Sequence, residues 1–140
     1  MGRFISRDSL ARGMNVRDAV EADAERLAEL TGTPRDVMRN LVHDRTVRVG
    51  LDDGIEGFVS FDARRETVHV TQLEGPQAAC ERLLEEPVRF ARRESMGVEL
   101  LVAQTDDSAR AAAESVGFVE DGLGPRFEGT RTVRYRWSAV

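Results

Sequence analysis

The chain has 140 residues, of which 41% are hydrophobic and 32% are charged. Such a chain is expected to fold as one globular domain around one hydrophobic core. Its formal net charge of −5 argues against general nucleic-acid binding, because neutralising phosphates requires a clustered basic surface. No apolar run is long enough to cross a membrane, and the N-terminus lacks the apolar segment of a signal peptide. We therefore expect no membrane association and a cytoplasmic location.

Residues that bind metals are scarce. The chain has one cysteine, Cys80, and two histidines, His43 and His69, which lie far apart in the sequence. One cysteine cannot form an internal disulfide, and these histidines lack the spacing of a ligand pair, so we expect no metal site. All 20 basic residues are arginine, which excludes lysine chemistry such as a Schiff base.

The first third of the chain predicts a strand and two helices. Residues 1–13 show no clear period and are interpreted as an N-terminal extension, so that the domain spans residues 14–140. Alternation predicts a strand over residues 14–20, and apolar residues at helical spacing predict a helix over residues 21–31. A second helix is predicted to open at Thr33-Pro34, with threonine as the cap and proline at the first helical position. Its predicted buried stripe consists of Val37, Met38, Leu41 and Val42.

Three antiparallel strands follow these helices. Residues 46–51 and 55–61 alternate as strands. The Asp52-Asp53-Gly54 segment between them is a strong hairpin signal, because glycine and aspartate tolerate the positive φ that tight hairpin turns require. A third strand of the meander is predicted to end at Gln72.

The stretch from Thr67 to Arg93 points most directly to a ligand. An alternating strand runs through Gly75 and Pro76 into an amphipathic helix. The start of a helix exposes unpaired N–H groups and the positive end of the helix dipole, so it favours a phosphate-bearing ligand. The alternative interpretation is a plain strand-to-helix connection. The apolar residues of this helix are Ala79, Leu83, Leu84, Val88, Phe90 and Ala91.

The last third of the chain combines strands with one short helix. Residues 98–103 are almost continuously apolar, which predicts a central strand buried on both faces. Residues 106–116 predict a helix ended by Gly117, and a further strand begins directly after it. Residues 121–131 read as a loop rich in glycine and arginine, and residues 132–137 alternate as the last strand. The predicted order is βααβββαβαββ.

This order of elements resembles that of the GNAT superfamily of acyl-CoA-dependent N-acyltransferases. The segment Arg17-x-Ala19-x-x-x-Asp23 resembles the first strand and helix of the family. Asp106-x-x-Ala109, followed by Gly117-Phe118, has the spacing of its N-x-x-A…Y-x-x-x-G-F segment. The resemblance covers residues 14–137. It implies an α+β fold with three α/β/α layers, a mixed and mostly antiparallel sheet with helices on both faces, and acetyl-CoA as co-substrate.

Members of the family bind the acyl-CoA pyrophosphate at a turn written Q/R-x-x-G-x-G/A. Counted back from Leu83-Leu84, this motif falls on residues 75–80, where its length is kept but its residues are not. Gly75 replaces the glutamine or arginine, and Pro76 has no N–H to donate. The residues that the resemblance implies for cofactor binding are Val70, Thr71, Gln72, Leu73, Gly75, Gln77, Ala78, Ala79, Cys80 and Asp106.

The general acid of the family is also altered. Many members place a tyrosine four residues before the Gly-Phe pair to protonate the leaving thiolate, and this position is Ala113 here. Asp106 replaces an asparagine that often meets the pantetheine. The one tyrosine, Tyr135, falls on the last strand. An active enzyme would leave protonation to solvent, and a thiolate with a pKa of about 8.5 can depart without much help.

Acyl transfer to an amine also needs a group that takes the proton of the amine. His69 and Glu66, at the fourth predicted strand, are the candidate catalytic bases. Alternatively, His69 lies on the outer sheet face and is satisfied by covering helices, and Glu66 only closes a turn. Cys80 at a helix N-terminus has the place of a nucleophile, but packing of a small side chain is the favoured interpretation. Arg126 and Phe127 are candidates for lining an acceptor site.

The leading prediction is an acetyl-CoA-dependent N-acetyltransferase that acts on a small-molecule or peptide amine. The alternative is a non-catalytic protein of the same fold that binds small molecules or other proteins. A third interpretation is a homodimer, or a complex with a second acyltransferase domain, formed through an exposed last strand. Bound acyl-CoA would distinguish the first interpretation from the other two.

Overall fold

A computed structural model describes residues 14–139 and contains a seven-stranded sheet with four α-helices. The predicted extension, residues 1–13, lies outside the described residues. The strands are β1 (Asn15–Asp18), β2 (Thr46–Leu51), β3 (Ile55–Arg64), β4 (Thr67–Glu74), β5 (Gly97–Ala103), β6 (Val119–Phe127) and β7 (Thr130–Trp137). The helices are α1 (Ala24–Thr31), preceded by a 3-10 turn at Glu21–Asp23, α2 (Arg35–Asp44), α3 (Gln77–Glu94) and α4 (Asp107–Val116). The predicted element order is confirmed.

The sheet is mixed and mostly antiparallel. Its strand order is β1-β2-β3-β4-β5-β7-β6, and β4 pairs with β5 in parallel. A parallel pair needs a long crossover connection, which α3 provides here. Helices lie on both faces of the sheet. The predicted fold class is therefore confirmed. None of the helices in residues 14–139 is long and apolar enough to cross a membrane.

Two hydrophobic clusters fill the two faces of the sheet. On the α3 face, α3 and α4 pack over β3, β4, β5 and β7, and Leu83 and Leu100 are at most 2% exposed. On the α1 face, α1 and α2 pack over β2 and β3, and Leu27 and Phe58 are fully buried. In the described part of the chain, no helix covers the α1 face over β4, β5 and β7. This uncovered area positions the candidate site.

The three-strand meander is confirmed, with longer strands than the sequence predicts. The hairpin between β2 and β3 has a φ of +61° at Asp53 and +110° at Gly54. Pairing between β3 and β4 continues out to Arg64 with Thr67 at one end and reaches Glu74 at the other. Both strands therefore extend beyond the alternating patterns that predict them.

The prediction that β5 is buried on both faces is wrong. Val98, Leu100 and Val102 point to the α3 face and are at most 6% exposed, whereas Leu101 on the other side is 38% exposed. The apolar run correctly indicates a central strand. It does not report which faces of that strand are covered by helices.

The predicted loop over residues 121–131 is also wrong. Most of this range belongs to β6, which pairs with β7 and forms one edge of the sheet. Two irregularities in the pairing, on either side of Leu123, accommodate Gly122, Gly124 and Pro125 within a strand. Because β7 is consequently an interior strand, the expectation of an exposed last strand is wrong as well.

The second helix begins later than predicted. Pro34 is its N-cap residue, so proline precedes the first helical position and does not occupy it. Met38 is 2% exposed, as predicted, but Val37 is 47% exposed and does not belong to the buried stripe. Leu41 and Val42 are partly buried and pack against the cluster on the α1 face.

An ion pair holds β1 against the turn that opens α1. Nη1 and Nη2 of Arg17 lie 2.8 and 3.1 Å from the two carboxylate oxygens of Asp23. Asp23 is 8% exposed and also accepts a hydrogen bond from the N–H of Val20 at 2.8 Å. The hydrogen bond from Arg17, with help from Val20, lowers the pKa of Asp23 against the opposing effect of burial.

Replacing Asp23 with asparagine should lower the free energy of unfolding at pH 7 by about 2 kcal/mol, as expected for hydrogen bonds to a charged group. Because the folded pKa of Asp23 lies below its unfolded value, its stabilisation is present above the unfolded pKa of about 3.9. The stabilisation is lost as pH falls through the lower folded pKa. Urea denaturation at pH 7 and pH 3 measures both effects. Glu25→Gln, an exposed carboxylate on α1, is the control, and an equal loss in both variants would contradict this role.

Candidate active site

β4 and β5 separate partway along their length. Their parallel pairing ends at Val70 and Leu100. Beyond that point β4 pairs with β3 and β5 pairs with β7. We call the space between Thr71–Glu74 and Leu101–Ala103 the β4–β5 gap. Since successive strand residues point their N–H groups to alternate sides, alternate residues of β4 direct N–H groups into this gap.

A β-bulge in β4 lies where the gap begins. In the pairing with β3, Gln72 faces Ser60 and Val70 faces Phe61, which leaves Thr71 without a facing residue. A bulge bends its strand and increases the local twist, and this bulge coincides with the point where β4 and β5 stop pairing. The Thr71 hydroxyl lies 2.6 Å from the Ser60 hydroxyl and donates to the Ser60 carbonyl at 3.2 Å. The alternation of the β4 sequence does not reveal this bulge.

A cavity of about 730 Å³ opens on the α1 face beside the gap. Its lining includes His69 and Thr71 from β4 and Leu101 from β5. Arg64 of β3 and Phe127 of β6 line its opposite sides. The volume lies within the range of about 300 to 1,000 Å³ that small-molecule pockets occupy. The cavity exists because no helix covers this part of the α1 face in the described residues.

A row of charged side chains crosses the cavity floor. In the strand register His69 faces Glu99 of β5 and Asp62 of β3. Nδ1 of His69 lies 3.6 Å from Oε1 of Glu99. The other carboxylate oxygen of Glu99, Oε2, lies 3.5 Å from Nε of Arg134 and 3.2 Å from Nη2 of Arg136. The interpretation that helices cover His69 is therefore wrong. The sequence offers one signal for Glu99, a single charge inside the apolar run of β5.

Glu66, the second predicted base, lies apart from His69. Arg65 and Glu66 form the turn between β3 and β4, with φ values of +52° and +65°. Glu66 is exposed, and it is not among the residues that line the cavity. The structure thus places one predicted base on the cavity floor and the other in a surface turn.

The start of α3 offers free backbone donors. β4 ends at Glu74, and Pro76 is the N-cap residue of α3 without a side-chain hydrogen bond to the helix. The first helical N–H groups, those of Gln77–Ala79, have no acceptor within the helix. The N–H of Cys80 donates to the Pro76 carbonyl at 2.9 Å. Free donors at the positive end of a helix dipole suit a phosphate group.

Close backbone packing shapes the turn before α3. A Cβ atom at Gly57 would clash with the carbonyl oxygen of Glu74. A Cβ atom at Gly75 would lie 3.2 Å from the carbonyl oxygen of Glu56, and Gly75 has a φ of +136°. Both positions therefore require glycine. This packing explains why Gly75 stands where the family motif has glutamine or arginine.

Solved structures of acetyltransferases share this architecture. One of them is the protein yncA from Salmonella typhimurium, a proposed acetyltransferase solved with its cofactor acetyl-CoA. It is 18% identical to this chain, with a TM-score of 0.74, and the match covers 91% of this chain and 95% of yncA. A proposed GNAT-family acetyltransferase from Desulfovibrio desulfuricans is 20% identical, with coverages of 91% and 100% and a TM-score of 0.71. The ribosomal-protein-S18-alanine N-acetyltransferase from Escherichia coli is 12% identical, with coverages of 90% and 94% and a TM-score of 0.73. The chain has the GNAT fold.

At these identities the likeness establishes the fold and not the reaction. No family model and no curated protein sequence matches the chain. The GNAT fold accounts for the arrangement of β4, α3, β5 and α4 around the gap. What this particular chain can do depends on the residues that it places there.

The surroundings of the turn before α3 are acidic. Glu74 precedes the turn, Glu81 accepts a hydrogen bond from Gln77 at 3.0 Å, and Asp106 is the N-cap residue of α4. All three carboxylates act electrostatically on the thiol of Cys80, and burial followed by the charge of Asp106 raises the pKa of Glu74. Carboxylates therefore flank the free donors of α3 and oppose the binding of an anion.

The tyrosine of this chain does not replace the general acid of the GNAT family. Ala113 is fully buried in α4. The hydroxyl of Tyr135 donates to Glu114 at 2.9 Å and accepts from Nε of Arg110 at 3.1 Å. Arg110 also donates to Glu120 of β6 at 3.3 Å. The phenol is thus held by side chains of α4, one of which also binds β6.

Cys80 has the properties of a packing residue. Its side chain is 2% exposed, and its thiol donates to the carbonyl of Gly75 at 3.3 Å. Burial, together with the nearby charge of Asp106, raises the pKa of the thiol to about 12. A thiol that stays protonated and buried is a poor nucleophile, which agrees with the favoured sequence interpretation.

We expect the Cys80 thiol to be unreactive toward Ellman's reagent in the native protein at pH 8. A pKa of about 12 leaves about three orders of magnitude less thiolate than in an ordinary cysteine, and burial blocks access in addition. The release of thionitrobenzoate, followed with and without guanidinium chloride, measures this difference. Rapid labelling of the native protein would contradict the packing role, whereas labelling only after unfolding would agree with it.

Proposed function

We propose that this protein is an N-acyltransferase that transfers an acetyl group from acetyl-CoA to an amine bound in the cavity on the α1 face. The observation that carries this proposal is the β4–β5 gap, which leaves backbone N–H groups free beside a cavity of about 730 Å³. Support also comes from the fold, because one structural neighbour was solved with acetyl-CoA. The acceptor is a small-molecule or peptide amine.

The backbone supplies most of the proposed binding groups. Acetyl-CoA would supply an acyl group activated as a thioester. The N–H groups of β4 beyond Val70 would donate to the carbonyl oxygen of that thioester and stabilise the negative charge that develops there. The N–H groups of Gln77–Ala79 would receive the pyrophosphate. The gap and the cavity would then hold the amine beside the acyl carbon. Such positioning accounts for a large part of the rate acceleration in a direct transfer.

His69 is the proposed acceptor of the proton that the amine loses. Its imidazole lies on the cavity floor at the level where the strands separate, and Glu99, 3.6 Å away, would orient the ring. The new carbon–nitrogen bond forms while the carbon–sulfur bond breaks, and solvent protonates the departing thiolate because Ala113 offers no phenol. A thiolate with a pKa of about 8.5 can leave without an acid.

A thermal melt with and without acetyl-CoA tests this proposal first. Ligand at about one hundred times its dissociation constant adds about 2.7 kcal/mol, and in a domain of this size that free energy raises Tm by several degrees. Ala78→Trp should abolish the rise because the indole blocks the start of α3. Glu85→Trp, exposed on the same helix, is the matched control and should keep it. No rise at millimolar acetyl-CoA would exclude the transferase.

A non-catalytic binding protein is the second candidate. The acidic turn before α3 and the presence of Ala113 favour it, because both weaken features that acyl transfer uses. Release of free thiol from acetyl-CoA across a panel of amines distinguishes the two candidates. Thiol release that depends on both amine and His69 supports the transferase, whereas binding of acetyl-CoA without any transfer supports the second candidate.

Removing one carboxylate from the acidic turn should tighten the binding of acetyl-CoA. We expect Glu74→Gln to lower its Kd several-fold, because Glu74 precedes the free N–H groups of Gln77–Ala79. Added salt should tighten binding to the unmodified protein by screening the same repulsion, and this salt effect should shrink in the variant. Isothermal titration calorimetry measures both. Glu94→Gln, at the other end of α3, is the control, and an equal change there would refute a local effect.

A further inference from the structure

The cavity carries opposite charges at its two ends. Arg64 faces Thr67 at the start of β4. Glu128 lies in the turn between β6 and β7, close to the pairing of Thr132 with Ala103 at the end of β5. Both side chains line the cavity. A ligand that spans it therefore meets a cation at the end where the strands are paired and an anion at the end where they have separated.

Arg64 is available to a ligand. Its side chain is 71% exposed, and its Nε lies 3.9 Å from Asp62. The carboxylate of Asp62 already lies 2.6 Å from Arg45 on the other side. A guanidinium at that distance from a shared carboxylate retains donors for a further partner, and the planar fork of arginine matches a carboxylate in particular.

The walls between the two charged ends are largely apolar. Leu101 and Phe127 line the cavity and are 38% and 69% exposed. The carboxylate of Glu99 on the floor lies within 3.5 Å of both Arg134 and Arg136, so its charge is largely compensated. The middle of the cavity thus suits an apolar group, which would bury the exposed surface of these two side chains.

The length of the cavity favours a ligand longer than an α-amino acid. An amine that reacts must reach the gap, which begins at Thr71, whereas Arg64 lies level with Thr67. Four strand residues at about 3.3 Å each separate these levels by about 13 Å. The Arg64 side chain spans part of that distance. In an α-amino acid a single carbon atom separates the amine from the carboxylate. A ligand whose amine reaches the gap while its carboxylate binds Arg64 needs a longer separation.

We propose that the acceptor is a short apolar peptide whose amine lies at the β4–β5 gap and whose C-terminal carboxylate binds Arg64. The identification of the peptide as acceptor rests on the proposed function, but the recognition of its carboxylate does not. Glu128, at the far end, attracts the ammonium group of the peptide and repels its carboxylate. The two charges thereby fix the direction in which the peptide lies.

Matched dipeptides test this proposal. Gly-Phe, Ala-Leu and Gly-Val are titrated by calorimetry in the absence of acetyl-CoA, each beside its C-terminal amide. We expect at least one dipeptide to bind about three- to fivefold more tightly than its amide, as a hydrogen-bonded ion pair to a largely exposed arginine would give. Arg64→Gln should abolish this preference. Arg65→Gln, an adjacent exposed arginine outside the cavity lining, should preserve it.

Three outcomes overturn the proposal: no dipeptide binds, dipeptide and amide bind equally, or the preference survives Arg64→Gln. Because this titration contains no acetyl-CoA, its result is independent of the melt and of thiol release. A preference that depends on Arg64, without acyl transfer to any dipeptide or to any other amine of the panel, supports carboxylate recognition and contradicts the transferase. Transfer to amines without such a preference supports the transferase and contradicts peptide recognition.

Discussion

The inserted residue Thr71 lies where β4 and β5 separate, and the candidate site depends on that separation. If the two strands stayed paired to their ends, the backbone donors beyond Val70 would be consumed by the sheet. The bulge is held inside the sheet, because the Thr71 hydroxyl binds Ser60, which is fully buried. An unpaired strand end is costly unless solvent or a ligand satisfies it. The gap is therefore a place where backbone groups lack hydrogen-bond partners in the neighbouring strand.

The contact between Gly57 and the turn before α3 is a second constraint. It fixes how closely that turn approaches β3 and leaves no space for a side chain at Gly75. The departure of Gly75 from the GNAT motif thus has a packing reason that is separate from ligand binding. The fold needs small residues there, and the charge of Glu74 beside the turn affects the ligand more than the fold.

Much of the architecture could be read from sequence because periodicity and turn residues report it directly. Residues 46–51 form the predicted strand, and Asp53 and Gly54 form the predicted turn. The errors arise where local pattern and tertiary context differ. Residues 121–131 carry the glycines of a loop but are held in a strand by pairing with β7, and the apolar run of β5 does not reveal that one face lacks a helix.

The site was less accessible to sequence reasoning than the fold. The chemistry of His69 and its predicted strand identify it in the sequence, whereas its partner Glu99 lies on a different strand that the pattern of β4 does not reveal. Glu66 lies at the same predicted strand, but a turn with positive φ places it away from the cavity lining. The pairing of β4 with β5 brings His69 beside Glu99, and no single-residue pattern specifies that pairing.

The two sides of the gap differ in charge in a way that only the structure reveals. Carboxylates flank the start of α3, where a donor phosphate would lie, whereas the cavity on the opposite face is lined by Arg64, Glu99 and Glu128. The carboxylates at α3 oppose an anionic donor. The separation of Arg64 from Glu128 favours an acceptor that carries an anionic group at one end and a cationic group at the other.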